Sequence, residues 1–258
     1  MNSLNKFTKQ LIFYAALIGL WQLVTALKLW PPYVFPTPAG VFDSLRAGFS
    51  DHTFAIGIGM TMKRMVIGYA VSAVLGIALG LLLAYNAFLE ETLGRLVVSV
   101  QAMPSVCWLP LAILWFGLSE KAILFVVVMG SLLSISMSTE AGLRNVPKIY
   151  PMAGRNLGAR GVRLFLFVLL PASLPHLVSG LKQGWAFAWR SLLAGELIFV
   201  TVGLGQLLMM GRDLNDINQV VAVMVLIVAI GYLVDGFVFR VLERGLRQKW
   251  GFASAAGL

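Results

Sequence analysis

Hydropathy along the chain marks six apolar blocks, at roughly 10–28, 65–85, 96–116, 121–140, 175–199 and 218–239. Each is near the ~20 residues that an α-helix needs to cross the hydrocarbon core of a bilayer. The blocks predict an all-α membrane protein with about six transmembrane helices, organised as one transmembrane domain over residues 1–258. The apolar run from Leu11 is long and no small-x-small cleavage site follows it cleanly, so the first 28 residues read as an uncleaved first span.

The polar segments orient the blocks. With six spans both termini share one side. Placing them in the cytosol puts twelve Lys and Arg residues in inside loops, against six in outside loops. The positive-inside rule favours that arrangement, which makes 146–171 a cytosolic loop.

Composition agrees. The chain is 59% hydrophobic and 12% charged, whereas ordinary soluble chains are about 45–50% apolar and about 25% charged. In so apolar a chain, the net charge of +9 reflects basic residues at the ends of spans rather than nucleic-acid binding. The single cysteine, Cys107, excludes an internal disulfide.

Between the first two blocks, Trp30 to Gly40 contains Pro31, Pro32, Pro36 and Pro38 and reads as a stiff extended stretch, followed by a short surface helix from Val41 to His52. Lys63 and Arg64, at the edge of the second block, are expected to snorkel to the outer interface. Gly68, Ser72, Gly76 and Gly80 place a small residue every four positions, a ridge that lets a neighbouring backbone come close. In the third block, Pro104 and Pro110 interrupt the backbone ladder.

The fifth block carries Lys182, Arg190 and Glu196 beside Trp185 and Trp189. Ionisable groups inside a span are costly unless paired or wet. Either Arg190 and Glu196 line a pathway, or Glu196 lies at the outer boundary and Arg190 finds a carbonyl or carboxylate locally; Lys182 is expected to snorkel inward. Six residues separate Arg190 from Glu196, about 240° around a helix, so they do not pair with each other. Both are expected to face a subunit interface or central cavity rather than lipid. Asp235 is expected to pair with Arg240 or another basic residue at the inner interface.

The loop between the fourth and fifth blocks has the most specific pattern. Met152, Ala153 and Gly154 are followed after three residues by Gly158, and after nine more by Val168-Leu169-Leu170-Pro171. This spacing resembles the "Glu-Ala-Ala, three residues, Gly, nine residues, Ile-x-Leu-Pro" loop of ABC importer permeases, with Met152 at the Glu position and Gly154 at the second Ala. In that family the loop is a coupling helix that fits a groove on the ATP-hydrolysing subunit. A short cytosolic helix over 147–160 follows, with Pro147 or Pro151 in its first turn. The small residues 153, 154, 158 and 159 would permit close approach to a partner, and Arg155, Arg160 and Arg163 would pair with acidic groups or lipid phosphates.

Other segments resemble the same family. Phe35-Pro36-Thr37-Pro38 matches its "Leu-Pro-x-Pro" element. Pro104 and the run Leu109-Pro-Leu-Ala-Ile-Leu-Trp-Phe-Gly117 resemble the nitrate, sulfonate, taurine and bicarbonate branch. Trp189 and Ala194-Gly195-Glu196, followed by Gly203-Leu204-Gly205, resemble a "Trp…Ala-Glu" element. The resemblance covers nearly the whole chain from about residue 30 to 250, with its core at about 60–250.

The resemblance implies a type I ABC importer permease fold in a bacterial inner membrane, with both termini cytoplasmic. It implies a homodimer, two ATP-binding cassette subunits that hold ATP and Mg, and an extracytoplasmic substrate-binding protein. Met152, Ala153, Gly154, Arg155, Gly158 and Pro171 are the coupling candidates; Trp189, Arg190 and Glu196 are the pathway candidates. The implied cargo is a small anion of the sulfonate, taurine, nitrate or bicarbonate type.

No phosphate-binding G-x-x-x-x-G-K-[ST] loop, G-x-S-x-G elbow or H-E-x-x-H pair occurs, so no cofactor, metal site or catalytic set is expected in this chain. His52 and His176 stand alone, without carboxylates or cysteines at metal-ligand spacing. The alternative class, a self-contained secondary transporter, needs mid-membrane coupling acids and usually an internal repeat. Only Glu196 is a candidate for the first, and no clear repeat is seen.

Overall fold

The computed structural model describes residues 6–31, 33–199 and 201–249. Among them, five helices are long and apolar enough to cross a membrane, and a bent pair makes a sixth candidate. The chain divides into two compact units, one of residues 1–60 with 202–228 and one of 61–201 with 229–258.

The first unit contains α1 (Lys6–Ala26) and α2 (Pro38–Ser50). It also holds the opening turns of α3 (Thr53–Tyr85), then α9 (Leu204–Asp213) and the first part of α10 (Ile217–Leu246). α2 begins as its sequence dictates. The Thr37 hydroxyl accepts from the Gly40 N–H at 3.0 Å, and Pro38 takes the first helical position, where a missing N–H costs nothing. The preceding segment is held by the Trp21 indole N–H, which donates to the Pro36 carbonyl at 2.9 Å. At the start of α3, the Asp51 carboxylate accepts from the Thr53 N–H at 2.9 Å, which holds its pKa below the usual carboxylate value. Gly57 lies against Leu207, and the Gln219 side chain donates to the Leu207 carbonyl at 2.9 Å, joining these short elements.

The second unit is built around α6 (Glu120–Arg144), a largely apolar helix that buries Ser131, Ser134, Ser136 and Thr139 along with its apolar residues. The ridge on α3 finds its neighbour here. A Cβ at Gly76 would stand 2.8 Å from the Leu132 carbonyl oxygen, and one at Gly80 would stand 2.5 Å from that of Ser136. α3 and α6 therefore run parallel at backbone contact distance. On another face, α8 (Gly161–Ile198) runs antiparallel to α6. Gly142 there meets His176, Gly180 meets Ser138, Gly184 meets Ile135, and Gly130 meets Ser191. Small residues on both helices allow this approach. Dispersion between closely packed backbones stabilises it, since lipid supplies no hydrophobic drive.

The third expected span is not one helix. α4 (Ala87–Gln101) and α5 (Ser105–Phe116) are bent by 101° at a break. Pro104 is the cause: it lacks an N–H, and its ring pushes Met103 out of helical geometry. Pro104 itself is extended, with ψ 135°. By contrast, Pro110 sits in the first α-helical turn of α5 and is accommodated. α5 closes at Gly117, whose φ of +64° suits glycine. α3 begins at Thr53, twelve residues before the expected span, so Lys63 and Arg64 lie inside a helix rather than at its edge.

Candidate functional site

Two sites emerge from this packing, one at each end of α6.

At the Arg144 end lies α7 (Ile149–Asn156), eight residues long within the expected 147–160. Its stop is a Schellman motif. The Ala159 N–H donates to the Gly154 carbonyl at 2.9 Å and the Gly158 N–H to the Arg155 carbonyl at 3.0 Å. Gly158 has φ +86° and nothing within 4 Å of the place where a Cβ would stand. The left-handed turn by itself calls for glycine here. Gly154 is small for a different reason: a Cβ there would come within 2.8 Å of Leu164 and 3.0 Å of Val168. The expectation that Gly154 opens a surface to another protein is corrected, because close approach at 154 occurs inside the chain.

What α7 presents outward is apolar and basic. Ile149 is 70% exposed, Met152 63% and Leu157 89%, while Ala153 and Arg155 are also exposed. Pro171 follows the wide π turn Phe165–Leu169, where the ladder absorbs a residue that cannot donate. Arg144 braces this end: it bonds Glu140 at 2.9 Å and Glu90 at 3.1 Å, and donates to the Leu83 carbonyl at 3.4 Å.

At the Glu120 end lies a buried charge network. One guanidinium nitrogen of Arg64 is 2.9 Å from Glu196, and another is 2.9 Å from Glu120. The Thr61 hydroxyl is 2.8 Å from the second Glu196 oxygen. Arg64 is 3% exposed and Glu196 is fully buried. Sequence reasoning missed Arg64, which does not snorkel, and with it Thr61 and Glu120. The signal available was two opposite charges near the same end of two predicted spans, each too costly to leave alone. Glu196 is thus enclosed by its own chain and lines no surface in this conformation, contrary to the expected interface or cavity. The partner it needs is Arg64.

The other charges of the spans divide likewise. Lys182 pairs with Asp235 at 2.8 Å, and Asp235 also lies 3.5 Å from Arg240, the partner expected for it. Lys182 is paired rather than snorkelling. Trp189 is buried, facing Gly231 of α10. Arg190, the next residue and so about 100° around the helix, is exposed on another face. Among the described residues, no group of three or more His, Cys, Asp or Glu side chains is placed to hold a metal ion.

Spans packed through small residues, with a capped amphipathic helix between two of them, define a multi-span membrane protein. Residues 76–248 match the family model of the binding-protein-dependent transport system inner membrane component, and the chain belongs to that family. It is 27% identical over 242 residues to the taurine transport system permease protein of Escherichia coli K12, covering 92% of this chain and 88% of that protein. It is 25% identical over 238 residues to the nitrate import permease protein of Leptolyngbya laminosa, covering 90% and 85%. Its fold is similar to a methionine ABC transporter captured in inward-facing conformations, with TM-score 0.64 and 23% identity over 75% of this chain and 96% of that one. An amino acid ABC transporter matches with TM-score 0.62 and 15% identity, over 79% and 97%.

Proposed function

We propose that this chain is the membrane-spanning permease subunit of an ABC importer for a small anionic solute. The observation that carries the reading is α7, a Schellman-capped helix in the 146–171 loop of a chain that belongs to the binding-protein-dependent transport family. Its exposed Ile149, Met152 and Leu157, flanked by Arg155, Arg160 and Arg163, suit a groove with an apolar floor and an acidic rim.

In this reading α7 and both termini lie in the cytosol, on the side favoured by twelve basic residues against six. Two copies of the chain form the pathway, and two separate ATPase subunits hold ATP and Mg. An extracytoplasmic binding protein delivers the solute. The chain serves as one domain of the translocase and carries no hydrolytic chemistry of its own. ATP binding biases two states of similar energy, and α7 transmits the bias through the rigid join of Gly154 to Leu164 and Val168. Relatives whose names specify taurine or nitrate support a sulfonate or nitrate type of cargo.

Purification of the chain with its ATPase subunits tests the assembly. Deleting residues 147–160 is expected to abolish ATPase copurification while the protein still inserts. Retained ATPase association and solute-stimulated hydrolysis after that deletion overturn the reading. A thermal-shift screen of the cognate binding protein against taurine, ethanesulfonate, nitrate and bicarbonate identifies the cargo.

A further inference from the structure

The α4–α5 break opens a cavity of about 360 Å³ in the second unit. Its walls include Gln101, Ser105, Trp108, Gly130, Phe187 and Arg190. That volume falls within the roughly 300–1,000 Å³ range of small-molecule sites. No acidic side chain lines it.

Three observations converge there. The first is depth. Gly130 stands ten residues into α6, about 15 Å from Glu120 at 1.5 Å per residue, near the middle of a 25-residue helix. Gly130 lies against Ser191, so Arg190 is at mid-membrane level.

The second is pairing. Arg64, Lys182, Glu196 and Asp235 each meet an opposite charge within the chain. Arg190 meets none among the described residues. Its Nε donates to the Ala186 carbonyl at 3.1 Å, and its guanidinium carbon stands 4.9 Å from the Phe187 ring centroid. Those contacts fix the plane of the fork while leaving its terminal N–H groups for a guest.

The third is polarity at the break. Gln101 Oε1 is buried without a hydrogen-bond partner among the described residues, an acceptor that suits a donor group on a guest rather than its oxyanion. α5 starts at Ser105 with no side-chain cap, and Ser105 and Val106 line the same space.

We propose that this cavity is a mid-membrane subsite for a small monovalent oxyanion headgroup, held by the Arg190 fork, with Gln101 placed to accept from any hydrogen-bond donor the guest carries. The proposal rests on the importer reading and deepens it by naming where the anion pauses. Arg190 neutralises the anion at the depth where an unpaired charge is most costly. A single positive charge without an acidic neighbour also selects against cations.

The test uses the assembled complex with Cys107, which is exposed, replaced by serine. Ser105→Cys then reports on the cavity through its reaction rate with a neutral water-soluble thiol reagent. Ethanesulfonate and nitrate are the probes, with choline as a cationic control. Either anion is expected to slow the labelling, and choline is not. Arg190→Gln is expected to raise the half-protecting concentration at least about tenfold, the consequence of losing one charge-assisted contact. If the Arg190→Gln complex does not assemble, Arg190→Lys, which keeps the charge but not the fork, must still weaken protection.

Absence of anion protection, or equal protection in the Arg190 variants, overturns the subsite. Failure of the importer reading is separate: it would show as loss of ATPase association or of ATP-driven uptake in the parent complex, whatever the labelling.

Discussion

Arg64 and Glu196 lie 132 positions apart in sequence and 2.9 Å apart in space, and both are withdrawn from solvent. Their ion pair ties α3 to α8, and Glu120 extends it to the start of α6. A buried pair of this kind adds little net stability over an apolar replacement, but removing one member leaves an uncompensated charge.

Arg64→Ala is therefore expected to cost about 3–5 kcal/mol, read as a large fall in Tm of the detergent-solubilised protein. Glu120→Gln, at a half-exposed position, should cost under about 1 kcal/mol. The double variant Arg64→Met with Glu196→Leu should recover most of the loss. A single Arg64→Ala change as mild as Glu120→Gln contradicts the buried-network account.

Gly158 tests the cap. Gly158→Ala places a Cβ at φ +86°, which costs about 1–2 kcal/mol of local strain although no neighbour obstructs it. Gly158→Asn, which tolerates left-handed geometry, should be milder. Hydrogen exchange at the amides of Gly158 and Ala159 reports the effect directly, and equal protection in all three forms contradicts the Schellman assignment.

The outward face of α7 makes a different prediction. Met152→Lys changes a residue that is 63% exposed. Membrane insertion and Tm should stay within about 0.5 kcal/mol of the parent, as for a surface substitution. ATPase copurification should fall at least about tenfold, from loss of an apolar contact and burial of a charge. Unchanged copurification would remove Met152 from the docking face.

Close backbone packing predicts that Gly80→Leu is far worse than Gly59→Leu on the same helix. A Cβ at 80 meets the Ser136 carbonyl and Thr139 side chain, whereas position 59 has open space. The first change is expected to cost at least about 1–3 kcal/mol by overpacking. The second should leave Tm nearly unchanged.

Much of this molecule was legible along the chain because bilayer thickness converts apolar length directly into helix count. The 146–171 spacing located α7, while the structure showed that the helix ends at Asn156 and that Gly158 forms its cap rather than lying within it. The prolines announced a disturbance in the third block, and Asp235 with Arg240 was foreseeable because they are neighbours on one helix. The tertiary structure decided what requires knowing which helix faces which. It turned the disturbance at Pro104 into a 101° bend and a cavity, and assigned the glycine ridge of α3 to α6. It also separated three charges of similar appearance: Glu196 is sealed by Arg64, Lys182 is held by Asp235, and Arg190 is left facing a cavity. A charge in a span must find compensation, and that demand is written in the sequence. Whether the compensation comes from a distant residue or from a guest depends on the rotation of packed helices, which hydropathy does not encode.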